Sequence, residues 1–311
     1  MNTMDALESN ALVVLGPTAA GKTALGVALA AATGGEILSA DSRQVYRGLN
    51  IGSGKDLGEY EKDGLRVPYH LIDIVDLDEE FNVFAYQKRF FECFVALRER
   101  GGLAIVVGGT GLYLEAVLKG YRMVEVPRDP GLREELSTCT DDTLIQKLRT
   151  LKPTLHNTTD LNDRDRIIRA IEIEIYTQGH KPEPTPPLHA LILGTRWNRK
   201  KLHRRIELRL RERFRAGMID EVRGLIEQGV SMEKLRFLGL EYRLITEYLQ
   251  GDLPNEDELF TKLNSAIRNF AKRQETWFRR MERRGATIHW IEEANAEQAL
   301  DLARQHGIGP R

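Results

Sequence analysis

Ala11-Leu12-Val13-Val14-Leu15 runs without a break into Gly16-Pro17-Thr18-Ala19-Ala20-Gly21-Lys22-Thr23, and from Lys22 an alanine-rich apolar stretch continues to Thr33. The first five residues predict a buried strand, the octet fits G-x-x-x-x-G-K-[ST], and the stretch after it has the composition of a helix. Strand, glycine-bounded loop and helix in that order make a phosphate loop. Its glycines let successive backbone N–H groups curl around phosphate oxygens, the helix N-terminus adds partial positive charge and Lys22 adds a full one. Thr23 is placed to ligand Mg²⁺. The loop says that phosphate is bound, and leaves open which phosphate and to what end.

Working outward, Gly35 to Ala40, Ala104 to Val107, Ala190 to Gly194 and Thr287 to Ile291 are further short runs rich in branched apolar residues. A helix-like segment lies between each and the next, so they predict parallel strands covered on both faces: an α/β protein with a P-loop NTPase-like open sheet. In such sheets chemistry sits beyond the carboxyl ends of the strands. The second strand ends at Asp41, which suits a magnesium ligand, a proton acceptor or a plain N-cap. The third runs into Gly108-Gly109-Thr110-Gly111-Leu112-Tyr113, where an NTPase would carry an acid; the nearest Asp-ended apolar run is His70-Leu71-Ile72-Asp73. Gly108 and Gly109 fit a structural turn or the close approach of a ligand, and Leu112 and Tyr113 fit a channel wall or a helix core.

Two proline-rich marks, Val126 to Pro130 and Lys181 to Pro187, bracket a segment of helical periodicity. Residues 127–188 are expected to form an inserted small all-helical subdomain that interrupts a core made of 1–126 and 189–311. Within it, Asp163 to Gln178 places Ile167, Ile168, Ile171 and Ile175 near one helix face. In the second core segment a long helix carries Leu259, Leu263, Ile267, Phe270, Gln274, Trp277 and Met281 at core spacing.

Composition narrows the function classes. The 311 residues are 41% apolar and 29% charged, which excludes a disordered or collagen-like chain. No apolar run approaches the length of a membrane span, and Met1 to Asn10 lacks the charge pattern of a signal peptide, so a cytoplasmic protein is expected. Cys93 and Cys139 are too few for a cysteine zinc site and are expected as reduced thiols. The net charge of -1 conceals an asymmetry: residues 1–190 hold 21 Lys and Arg against 28 Asp and Glu, whereas 191–311 hold 24 against 18. The basic excess concentrates in Arg196 to Arg215 and Arg268 to Arg284, which suits a polyanionic partner or a solvated helix face.

Several stretches together resemble the tRNA dimethylallyltransferases, also called tRNA isopentenyltransferases. They are GPTAAGKT at Gly16 to Thr23, SADSRQVYRGLNIG at Ser39 to Gly52, PYHLIDI at Pro68 to Ile74, VGGTGLY at Val107 to Tyr113, NDRDRIIRAIEI at Asn162 to Ile173, HRRIELR at His203 to Arg209 and AKRQETWFRR at Ala271 to Arg280. The resemblance implies transfer of a dimethylallyl group from dimethylallyl diphosphate to N6 of adenosine 37, just 3′ of the anticodon, in tRNAs reading codons that begin with U. It implies a phosphate loop that holds an isoprenoid diphosphate with Mg²⁺, with no need of ATP. By matching positions, Asp41 is the general base, Thr110 a hydrogen-bonding partner in the reaction channel, and Lys22 and Arg209 leaving-group contacts. The same matching implies tRNA contacts at Asp41, Ser42, Arg43, Gln44 and Gly111, at Asp165, Arg166, Ile167, Ile168 and Arg169, and at Arg236, Phe237, Leu238, Gly239, Leu240 and Glu241. Arg268, Lys272 and Arg273 are expected to add phosphate contacts. The partner is the anticodon stem-loop, with no obligate protein partner, and a monomer is the expectation.

The chain departs from the family pattern in three respects: it has Gly239-Leu240-Glu241-Tyr242-Arg243 near the segment where many members read Gly-Tyr-Lys/Arg-Glu, it has Gly52-Ser53-Gly54-Lys55-Asp56 where Gly-Thr-Ala-Lys is usual, and the inserted subdomain, Pro127 to Pro187, is short. Two other readings share the same loop and fold: a small-molecule kinase, and a non-enzymatic RNA-binding protein that uses nucleotide as a switch.

Overall fold

The structure, a computed structural model, describes residues 9–62, 64–153, 161 and 163–309. Residues 1–8, weighed above as part of a targeting segment, and Asn162 of the NDRDRIIRAIEI stretch lie outside the described residues. In chain order the elements are β1 (Ala11–Leu15), α1 (Lys22–Thr33), β2 (Glu36–Ala40), β3 (Glu61–Lys62), β4 (Leu65–Arg66), β5 (Tyr69–His70), α2 (Val83–Glu99), β6 (Ala104–Gly108) and α3 (Gly111–Leu118). There follow α4 (Pro130–Ser137), α5 (Asp141–Leu151), α6 (Arg164–Thr177) and β7 (Ala190–Arg196). The last part holds α7 (Arg199–Arg215), α8 (Met218–Glu227), α9 (Met232–Phe237), α10 (Leu240–Leu249), α11 (Glu256–Arg283), β8 (Ile288–Glu292) and α12 (Ala296–Gln305).

The chain forms two compact units, one from the residues up to Gly120 together with Pro186 onward, the other Tyr121–Thr185. The second begins earlier than residue 127 and ends short of 188, because the turn after α3, not the proline-rich mark, closes the first segment of the core unit.

In the core unit, β1, β2, β5, β6, β7 and β8 pair in parallel in the order β5-β2-β6-β1-β7-β8. The five expected strands are joined by β5, too short to announce itself by periodicity. Every residue of β1 is fully buried, as a central parallel strand covered on both faces requires. The register matters for function. Leu15 pairs with Gly108, and Ala40 pairs with Gly108 from the other side, so three neighbouring strands end at one level. Gly16, Asp41 and Gly109 therefore leave the sheet side by side.

The Asp-ended run has another use. Leu71 and Asp73 adopt left-handed φ values of 65° and 54°, which ends β5 at once, and the Asp73 carboxylate accepts from the almost fully buried Lys55.

The Tyr121–Thr185 unit closes a small core of Leu136, Leu144, Leu148, Ile167, Ile168 and Ile171. Asp129, Thr140 and Asp163 cap α4, α5 and α6 by accepting from Leu132, Thr143 and Arg166 backbone N–H groups. Ile175 lies outside that core, 37% exposed, because it falls one turn beyond the reach of the shorter α4 and α5. Buried Glu172 accepts from Arg133 Nε and Nη2 at 2.7 and 2.8 Å, from Arg169 at 3.1 Å and from the Asp129 N–H at 3.0 Å. Burial raises its pKa, but these donors outweigh it, Arg133 first, and bring the carboxyl down to about 2.

Candidate active site

The phosphate loop is pinned from outside by two side chains and from within by a third. Trp197 Nε1 donates to Ala20 O at 3.0 Å, Arg205 Nε donates to Ala19 O at 2.8 Å, and Lys22 Nζ donates to Pro17 O at 2.7 Å. With these carbonyls occupied, and with Gly21 as an N-cap that offers no side chain, the first-turn amides of α1 are left for a ligand. Lys22 has its pKa lowered to about 8 by burial and by repulsion from Arg209, against attraction from Asp41. The three groups thus feel one another across one cleft.

Asp41 occupies the first position past β2. Its Oδ1 accepts the N–H of Arg43 at 2.8 Å and of Gln44 at 3.4 Å, so the capping role foreseen for it exists, over a turn and not over a helix. One oxygen is engaged in that turn; Oδ2 has no such duty. Thr110 is tied to the same turn, its Oγ1 accepting from Ser42 N–H at 3.1 Å. In that bond the hydroxyl only accepts, so its hydrogen is left for a ligand.

The glycines of Gly108-Gly109-Thr110-Gly111 are required by the protein's own packing. A side chain on Gly108 would run into the Ala40 carbonyl, on Gly109 into Gln274 Nε2, and on Gly111 into the Trp277 indole. The α11 helix supplies both of the latter. Gln274, read from the sequence as a core position, is buried but polar in its work: Oε1 accepts from Thr18 N–H at 2.8 Å and Nε2 donates to Gly109 O at 2.9 Å. Ala271 and Phe278 take the core stripe in place of Phe270, which is 37% exposed, and of Trp277, which lies half-buried beneath Arg280 at 3.8 Å.

A cavity of about 300 Å³ is lined by Thr18, Lys22, Thr23, Asp41, Thr110 and Arg209, and also by Ser42 to Gln44, Gly239 to Tyr242, Phe270 and Arg273. A larger one of about 830 Å³ opens elsewhere on the phosphate loop and shares Lys22, Thr23, Arg209 and Arg213 with the first. All four residues named as catalytic from the sequence meet in the smaller cavity. Arg209 donates to Asp56 and, at 3.4 Å, to Gly54 O. Such a site can set cations around an anion and a carboxylate beside a proton donor.

The expected RNA contacts divide. Ser42, Arg43, Gln44, Gly239, Leu240 and Glu241 line the cavity, and Phe237 is 71% exposed. Leu238 is buried in the main core, and Ile167 and Ile168 in the core of the helical unit, so these three side chains are structural. Arg169 is spent on Val126 O, Pro127 O and Glu172, while exposed Arg166 pairs with Asp163. Asp165 is exposed in the first turn of α6. Arg236 donates to Gln250 at 2.6 Å. Tyr113 is a core residue stacked on Tyr86 at 4.0 Å, whereas Leu112 is exposed. Sequence reasoning missed Trp197, Arg205 and Arg213; a buried glutamine on an apolar stripe was the one signal that could have flagged Gln274.

Among the described residues no group of three or more His, Cys, Asp or Glu could hold a metal by itself, and no helix is long and apolar enough to cross a membrane.

The IPP transferase family profile matches residues 44–281, and an isopentenyl transferase profile matches 9–73. A tRNA dimethylallyltransferase 1 from Geotalea uraniireducens is 55% identical over 286 residues, 92% of this chain and 93% of that protein. A tRNA dimethylallyltransferase 2 from Syntrophotalea carbinolica is 55% identical over 287 residues, 92% and 95% of the two. The crystal structure of a tRNA isopentenylpyrophosphate transferase from Bacillus halodurans superposes with a TM-score of 0.67 at 31% identity, covering 96% of this chain and 95% of that one. A phosphate loop joined to an Asp-ended second strand, a Gly-Gly-Thr turn and a glutamine from α11, matched over nearly the full length of these relatives, leaves one conclusion: the chain belongs to the IPP transferase family, among the tRNA dimethylallyltransferases.

Proposed function

We propose that the protein transfers the dimethylallyl group of dimethylallyl diphosphate to N6 of adenosine 37, 3′ of the anticodon, in tRNAs that read codons beginning with U. The observation that carries this reading is the meeting of Asp41, Thr110, Lys22 and Arg209 in one cavity. N6 forms a bond to the allylic carbon as the carbon–oxygen bond to diphosphate breaks. An adenine amino group is a poor nucleophile, and Asp41 takes its proton as the new bond forms. Thr110 hydrogen-bonds within the channel and, through Ser42, fixes the turn that carries Asp41. Lys22 and Arg209 stabilise charge accumulating on the leaving diphosphate.

Thr23 would hold Mg²⁺ together with diphosphate oxygens. The sparse, all-oxygen donor set beside the loop fits a magnesium ion that keeps most of its shell from substrate and water. The ion would supply further neutralisation of the leaving group.

The base must be turned out of the anticodon loop to reach Asp41. RNA affinity from phosphate contacts offsets that cost. In support, a basic groove of about 940 Å³ carries Arg199, His203, Arg268, Lys272 and Arg279. The His203 pKa is lowered there by burial and by Arg268 and Arg199. We place the reaction in the cytoplasm.

The test is direct. Purified protein with Mg²⁺, dimethylallyl diphosphate and unmodified tRNA, without ATP, is expected to give isopentenyladenosine by nucleoside mass measurement. ATP-dependent phosphorylation without prenyl transfer would replace this reading with the kinase.

A further inference from the structure

Gly54 and Glu241 meet at one side chain, Arg213 of α7. Gly54 has the left-handed φ of 66°, and a side chain there would overlap Arg213 Nη2 and stand 2.9 Å from Arg209 Nη2. The glycine is what admits the Arg213 guanidinium. On the other side stands Glu241, with Oε1 at 3.9 Å from Arg213 Nη1.

Arg213 has five donors and uses none of them in a hydrogen bond among the described residues. Its side chain is only 12% exposed, its Nε is buried with no hydrogen-bond partner, and the Glu241 contact is too long for a hydrogen bond. Arg209, one turn earlier, is by contrast bonded to Asp56 and Gly54. A guanidinium held out of water without acceptors is costly unless something satisfies it. Crowding by Arg209 shows the same imbalance: burial and that neighbour bring the Arg213 pKa down to about 10, despite Glu241 and Asp56.

We propose that Arg213 is a further diphosphate-binding residue of this enzyme, admitted by Gly54 and restrained at rest by Glu241. Two guanidiniums converging on the one point beside Gly54, in a cleft that also holds Lys22 and Thr23, suit an anion with two phosphoryl groups. The proposal rests on the assignment of diphosphate to this cleft.

The experiment measures binding of inorganic diphosphate with Mg²⁺ to the full chain by calorimetry, beside binding of an anticodon stem-loop. Arg213→Met is expected to weaken diphosphate about 10-fold or more and to change stem-loop affinity less than about 2-fold. Arg213→Lys should recover part of the loss, and Arg213→Gln gives the same readout should Met impair folding. Gly54→Ala should weaken diphosphate as well, yet add little to Arg213→Met, since both remove the same contact. Glu241→Gln should tighten it a few-fold, a change of opposite sign that a merely structural arginine would not produce. Wild-type affinity in a folded Arg213→Met protein, or loss confined to the stem-loop, overturns the proposal alone. Absence of diphosphate binding in the wild type overturns the assignment of the cleft with it.

Discussion

Gln274 accepts the backbone N–H of Thr18 at 2.8 Å and, with its other terminus, donates to the carbonyl of Gly109. One amide thereby sets the spacing between the phosphate loop and the turn that carries Thr110. Gln274→Leu keeps the shape and leaves a buried donor and acceptor unmet, at a cost of about 1–3 kcal/mol. Thermal melting should register that loss, and kcat/KM for the isoprenoid should fall about 10- to 100-fold. Glu in the same position retains the Thr18 acceptor and should fall between the two. Unaltered kinetics in the leucine variant would remove Gln274 from the site.

Asp41→Asn preserves the acceptor for Arg43 and Gln44, so the turn should survive. What it lacks is a place for the N6 proton, and turnover should drop about 10²- to 10⁴-fold with stem-loop affinity nearly constant. Full turnover would show that another group takes the proton.

Lys22 gives the site a pH signature. With its pKa near 8, the cation prevails below that value and the neutral amine above it. Diphosphate should therefore bind more weakly as pH rises through about 8, and near pH 8 binding should draw in a proton by restoring the cation. Calorimetry in two buffers of different ionisation heat reads this uptake. Lys22→Arg should abolish it, and equal heats in the wild type would contradict the assignment.

Glu172 makes the helical unit acid-sensitive. Its folded pKa of about 2 lies below the ordinary 4.5, so its contribution is full above about pH 4.5 and is lost as pH falls toward 2. The shift corresponds to about 3 kcal/mol. Acid unfolding of the full chain, followed by circular dichroism, should be flatter across that interval in Glu172→Gln than in the wild type.

What the sequence made legible was local. The phosphate loop, the Asp41 turn and the Gly-Gly-Thr turn each follow directly from the strand before them, so a motif and a strand boundary sufficed. Trp197, Arg205 and Gln274 reach the loop from 177, 186 and 256 residues away, and no local pattern encodes such contacts. The basic run Arg196 to Arg215 suited a polyanionic partner or a solvated helix face, and within it Arg196, Lys201, Arg205 and Arg209 are engaged by Glu292, Glu293, Ala19 O and Asp56. On α11 the error was one of rotation: Trp277 and Phe278 are 100° apart about a helix, and spacing by threes and fours admits either.

The span between Thr18 and Gln274 also bears on how the protein comes into being. A ribosome delivers the phosphate loop first and the glutamine that braces it only some 256 residues later. At about 5–20 residues per second the nascent chain spends roughly 13 to 51 seconds without that brace. Chains that stop short of α11 would carry Lys22, Asp41, Thr110 and Arg209 yet lack the amide that spaces the loop from the Thr110 turn.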